Sequence, residues 1–127
     1  MGKYKNCLDI CEYFLRKIRD DSGSLKEDKL LLMNNKAVSL NHLGRFSETV
    51  KMLESMDEEN DLILKNLANA YFQLGNLKEA ITLYKRVIED SGDEESYYNL
   101  SACYYLHKDY KAAKFAINSA LAINPDK

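Results

Sequence analysis

"YFQLGNLKEAITLYKRVIE", Tyr71 to Glu89, sets one glycine between two stretches that each carry an apolar residue every three or four positions. Ahead of the break, Leu64, Leu67, Ala68 and Tyr71 recur at i, i+3, i+4 and i+7; after it, Leu77, Ala80, Ile81 and Tyr84 repeat the pattern. Both stretches read as short amphipathic helices. Gly75 is placed to take the left-handed conformation that closes the first helix. Asn76, with Glu79 three residues on, reads as a capping-box start for the second. The glycine is therefore expected to be a hinge between antiparallel helices that face each other.

The interruption recurs. Aligned on it, the chain gives "GKYKNCL" from Gly2, "GRFSETV" from Gly44, "GNLKEAI" from Gly75 and "KDYKAAK" from Lys108, where lysine replaces glycine. The separations are 42, 31 and 33 residues. The last two fall at the period of stacked helix-turn-helix units. The polar "RDDSGSLKED" lengthens the first and is expected to form a loop near Asp20 to Asp28. Lys108 has to make the same turn without glycine's freedom, at some local cost in stability.

These residues resemble the tetratricopeptide repeat family, whose unit of about 34 residues carries small residues where its two helices touch. Counting Asp61 as position one, Leu67, Ala68 and Tyr71 stand at the family's inner-face positions, followed by Gly75, Leu77, Ala80, Tyr84 and Val87. The copy from Glu94 has Tyr97, Leu100, Tyr104, Tyr110, Ala113 and Ala120, with Pro125 at the helix-ending position. In the copy from Leu30, Met33, Ala37, Leu40, Gly44, Phe46 and Met56 fit. Lys36 and Thr49 stand where Leu and Ala are usual, so its second helix is expected to be short. Tyr4, Cys7, Cys11 and Phe14 resemble only the second helix of a unit. The resemblance implies an all-α solenoid, a right-handed superhelix of about seven helices in a single domain over residues 1–127. Its parts would be an orphan helix at 1–20 and repeats at 28–60, 61–93 and 94–127.

Helices packed through positions 4, 7, 8 and 11 turn positions 2, 6, 9 and 13 to the far side. In the family that stripe lines a concave groove. Position 6 reads Asn35, Asn66 and Asn99, and an amide side chain can hold an extended peptide through donor and acceptor alike. Asn69 stands at position 9, His42 and Gln73 at position 13, and Lys65 and Tyr98 flank the groove at position 5. These eight residues form the candidate peptide-binding set. Asn is also common on solvated helix faces, so its recurrence at equivalent positions carries the inference. Lys65, Asn69 and Asn99 further fall where carboxylate-clamp co-chaperones of the family hold a C-terminal carboxylate, a task for charge-assisted bonds. The remaining clamp cations belong to a repeat past Lys127. In the alternative register Leu62 and Asn66 take their places, so neither register completes the clamp.

Composition narrows the classes. With 46% apolar and 30% charged residues the chain of 127 residues reads as folded, and a net charge of −2 without a basic block argues against nucleic acid. No apolar run is long enough to span a bilayer, no secretory signal opens the chain, and Asn6 spoils an acylation signal. Three cysteines suit a reducing compartment. A cytoplasmic protein with no membrane partner is expected. Cys7 and Cys11 lack histidines at matching spacing and read as core residues rather than metal ligands. Cofactors, metals and catalytic residues are not expected, since no phosphate loop, nucleophile elbow or dinucleotide turn appears.

The ends suggest more. Phe115, Ile117, Leu121 and Ile123 are too many apolar residues for one narrow stripe, and Leu8, Ile10, Cys11, Phe14 and Leu15 spread around more than one face of the first helix. Phe14, Phe115 and Ile123 are candidate contacts with another copy, with a larger assembly, or with further repeats. Two functions follow: a non-catalytic adaptor that binds a peptide segment of a partner protein, or a scaffold that self-associates through its ends.

Overall fold

The computed structural model describes residues 2–17, 23–56 and 60–123. Among them are seven α-helices and no strand: α1 (Gly2–Lys17), α2 (Gly23–His42), α3 (Phe46–Glu54), α4 (Asp61–Gln73), α5 (Leu77–Asp90), α6 (Glu94–Leu106) and α7 (Tyr110–Ile123). The chain is an all-α solenoid. Consecutive helices pack on each other along the described chain, and α2 also packs directly on α4.

The three interrupting positions make one turn three times. Gly44, Gly75 and Lys108 have φ of 77°, 84° and 66°. The residue after each donates its amide back six residues: Arg45 to Leu40 O at 2.8 Å, Asn76 to Tyr71 O at 2.8 Å and Asp109 to Tyr104 O at 2.9 Å. The turn residue itself bonds a carbonyl three back, at 3.1 Å in every case. This double closure satisfies carbonyls that a helix end otherwise leaves open, and it requires a left-handed residue. Lys108 takes that conformation despite its Cβ.

Asn76 does not form the expected side-chain cap. Its φ and ψ are −84° and 72°, close to the −95° and 59° of the equivalent Arg45, whereas a capping side chain folds back from extended backbone. Asn60 and Asp93 have that backbone and do cap, accepting from Ile63 N at 3.0 Å and Ser96 N at 2.7 Å. The long connections therefore carry the caps of α4 and α6, and the tight left-handed turns govern the starts of α3 and α5.

The expected loop near Asp20 to Asp28 is also corrected: α2 already begins at Gly23. Leu25, Lys26 and Glu27 are strong helix formers and extend the helix toward the insertion. Residues 18–22 of that loop, and Pro125 with its helix-ending role, lie outside the described residues. As expected, α3 is short, at nine residues.

Two clusters form the core. Ala37, Leu53, Ile63 and Leu67 join α2, α3 and α4; Ala68, Ala80, Tyr84, Leu100, Cys103 and Ala116 join α4 through α7. Tyr71 and Leu83 pack against both clusters, so the core is continuous. Leu8 and Cys11 of α1 are buried as well, and burial pushes the Cys11 thiol up to about 11, with the adjoining Cys7 adding to the shift. Where Leu67 and Leu100 fill the first helix of a pair, Lys36 instead reaches Glu12 of α1 at 3.5 Å. Thr49 is fully buried at the small-residue position occupied elsewhere by Ala80 and Ala113.

Candidate functional site

The first helix of each pair supplies the candidate surface, since α3, α5 and α7 cover the opposite flank. Positions 2, 6, 9 and 13 fall away from the buried positions by helical spacing. On that stripe Asn35, His42 and Gln73 are exposed, Tyr98 is 59% exposed, and Lys65, Asn66, Asn69 and Asn99 are half-buried.

The half-buried amides are engaged with the protein itself. Asn66 Nδ2 donates to Asn34 Oδ1, and Asn41 Nδ2 donates to the Asn66 carbonyl at 3.1 Å, which stitches α2 to α4. The hydroxyl of Tyr84, a residue only 1% exposed, donates to Asn69 Oδ1 and accepts from the Asn99 side chain. Burial, then the neighbouring Cys103 and Glu95, push the Tyr84 hydroxyl well above its ordinary pKa, against the pull of Asn99. A buried phenol requires such partners. Two of the amides thus serve Tyr84, a residue of α5, and they join α4 to α6 through it. Sequence spacing placed them on one stripe, but their shared contact with Tyr84 has no local signal.

Lys65 is likewise occupied. Its Nζ lies 2.9 Å from Asp93 Oδ2, and Asp93 is also the cap of α6. Burial opposes the charged forms of both groups. The hydrogen bond and charge between them, with the amide of Ser96 on Asp93, outweigh it, raising the Lys65 pKa and lowering that of Asp93. The pair links α4 to the start of α6. His42 stacks on Tyr4 of α1, with ring centroids 4.0 Å apart and planes within 9°, and its Nδ1 lies 2.9 Å from Val38 O.

The surface left open is consequently mixed: Asn35 and Gln73 as amides, the stacked edge of His42, and the ring of Tyr98. Leu31 and Leu62, at position 2, are 59% and 57% exposed, and Tyr105 is 63% exposed. These apolar contributors were missed by weighting the Asn row; two exposed leucines at equivalent positions were the available signal. Of the candidate end contacts, Phe14 is 48% exposed beside Tyr13, Ile123 is 50% exposed, and Phe115 at 73% is the most exposed large apolar side chain among the described residues. No group of three or more His, Cys, Asp and Glu able to hold a metal occurs among the described residues, and no described helix is long and apolar enough to cross a membrane.

Two tetratricopeptide repeat family models match, one over residues 40–102 and the other over residues 94–127. Among solved structures, a tetratricopeptide repeat protein from Parabacteroides merdae superposes with a TM-score of 0.73 at 19% identity. The match covers 100% of this chain and 56% of that one, so the chain spans little more than half of that relative's length. At this identity the likeness concerns the fold. No curated protein matches the sequence. Repeat models over contiguous stretches, three identical left-handed turns and a fold shared with a solved repeat protein agree: the chain belongs to the tetratricopeptide repeat family, whose repeats generally mediate protein–protein interaction.

Proposed function

We propose that the chain is a non-catalytic adaptor that holds a peptide segment of a partner protein on the stripe formed by α2, α4 and α6. The observation that carries this reading is the exposure of Asn35, Gln73 and Tyr98 on three successive first helices, beside the exposed Leu31 and Leu62. Amides can bond a peptide backbone while the leucines and tyrosine take its apolar side chains. A near-neutral net charge of −2 favours a protein partner over nucleic acid. Asn66, Asn69 and Asn99 act here as supports that fix the spacing of the helices, and the 2.9 Å ion pair of Lys65 with Asp93 weighs against the carboxylate-clamp variant.

Affinity capture with the wild type and with an Asn35→Arg/Gln73→Arg variant tests this. Both substituted side chains are exposed, so helicity by circular dichroism is expected to be unchanged while captured proteins are lost. Capture that survives the double substitution removes the stripe from consideration. The exposure of Phe115 favours one second reading, self-association through the ends. Light scattering across a dilution series, with Phe115→Glu as control, decides it: a wild type that stays monomeric at every concentration rejects self-association.

A further inference from the structure

We propose that the groove between α6 and α7 is a second docking site, distinct from the stripe, and that its occupant is an amphipathic α-helix of a partner protein lying parallel to α6. Two adjoining cavities of about 630 and 440 Å³ share Tyr98 and Ile117 and run the length of both helices. Moving back 33 residues, Ser101, Tyr105, Ile117 and Leu121 correspond to Ala68, Phe72, Tyr84 and Ile88. Those four belong to, or pack against, the cluster that holds Leu100 and Cys103 of α6. The α4/α5 groove is therefore filled by α6, and the α6/α7 groove is the same surface left open, with Tyr105 63% and Leu121 44% exposed.

The filled grooves define the occupant. α4 inserts Ile63, Leu67 and Ala70, at 2%, 8% and 0% exposure; α6 inserts Ser96, Leu100 and Cys103, at 0%, 6% and 0%. Both follow one pattern, i, i+4 and i+7, with leucine in the middle and a small residue last, and both are preceded three residues earlier by a cap, Asn60 or Asp93. The partner helix is expected to carry the same pattern. Charge agrees with the orientation. Glu94 and Glu95 line the end where the occupant's N-terminus would lie, and Lys114 lines the far end. A helix dipole is favoured by acid at its start and base at its end. A second copy fits less well, since the exposed apolar residues of α1 place Ile10, Phe14 and Lys17 at that spacing and end on a lysine.

The test uses the full chain and a fluorescein-labelled, hydrocarbon-stapled peptide of sequence Asn60–Gln73, which carries the pattern. Anisotropy is expected to show saturable one-to-one binding, weakened at least tenfold by Leu121→Glu and by Tyr105→Glu, and lost when the peptide itself carries Leu67→Asp. Asn35→Arg/Gln73→Arg is expected to leave this binding unchanged, which separates the groove from the stripe. Absence of saturation, or binding indifferent to both groove substitutions, overturns the proposal. So does a wild-type dimer that Leu121→Glu returns to monomer, because the occupant is then a second copy.

Discussion

The junction between α2 and α4 and the junction between α4 and α6 are made from the same repeat positions by different chemistry. At the first, polar groups meet across the helices: Asn34 with Asn66, Asn41 with the Asn66 carbonyl, and Lys36 with Glu12 of α1 behind them. At the second, Leu100 stands at the position of Lys36 and Tyr84 at that of Leu53, and the cluster around them is closed by alanines. The difference teaches that a repeat tolerates exchange of an apolar contact for a polar one when a neighbouring helix supplies the partner. α1 does that for Lys36. Without Glu12, Lys36 would be a half-buried cation with no counter-charge.

Energetic asymmetry follows, and the largest effect is expected at Tyr84. Tyr84→Ala should destabilise by about 3–5 kcal/mol, the range for removing a large buried aromatic. Tyr84→Phe, which keeps the ring but strands the Asn69 and Asn99 amides, should cost about 1–3 kcal/mol. Urea unfolding of both variants checks this; equal losses would mean that the hydroxyl carries all of the effect.

Equivalent positions give the next test. Leu100→Ala is expected to cost about 2–5 kcal/mol, whereas Lys36→Ala, which removes a partly exposed ion pair, should cost about 1 kcal/mol or less. Similar losses at the two sites would break the contrast between the junctions.

The Lys65–Asp93 pair sharpens the comparison through pH. Asp93 has a lowered pKa in the folded chain, so its contribution is present above the unfolded carboxylate value, near 3.9, and is lost as pH falls through the folded one. Lys65, raised, contributes below its unfolded value and loses that contribution as pH rises through the folded one. Asp93→Asn keeps a capping side chain and is expected to lower stability by about 0.5–1 kcal/mol at neutral pH. That gap should close in acid. A gap that persists at pH 2 would show that the carboxylate acts as a cap rather than as a charge.

The smallest effect is expected at the turn before α7. Lys108→Gly relieves a left-handed lysine and should stabilise by about 1 kcal/mol or less, because glycine's greater freedom in the unfolded chain offsets part of the gain. Gly75→Ala, at a φ of 84° with open space around the added methyl, should go the other way, so opposite signs at equivalent turns are the measurement to make.

Much of this architecture was legible in the sequence because its causes are local. The period of apolar residues, the left-handed turns including the one at Lys108, and the short α3 all follow from spacing and from residues adjoining one another. The cap at Asn76 was misread because its letters fit a capping box, while the preceding left-handed residue imposes a backbone that turns the side chain away. The start of α2 was misread because a glycine and two serines outweighed the helix formers that follow. The site was less legible still. Asn66, Asn69 and Asn99 lie on the expected stripe, but whether an amide faces solvent or a neighbour's hydroxyl depends on Asn34 and Tyr84, which lie 32 and 15 residues away from their partners Asn66 and Asn69. Periodicity assigns a face; it does not assign a bonding partner.

Tyr71 and Leu83 pack against both halves of the core, and that sharing bears on how the chain comes apart. A helix pair at either terminus can fray while leaving these two side chains lodged in the remaining half, whereas loosening α4 or α5 withdraws support from both directions together. Amide exchange should accordingly slow from the outer helices toward the middle, making the centre of the chain its last ordered remnant under heat or mechanical pull.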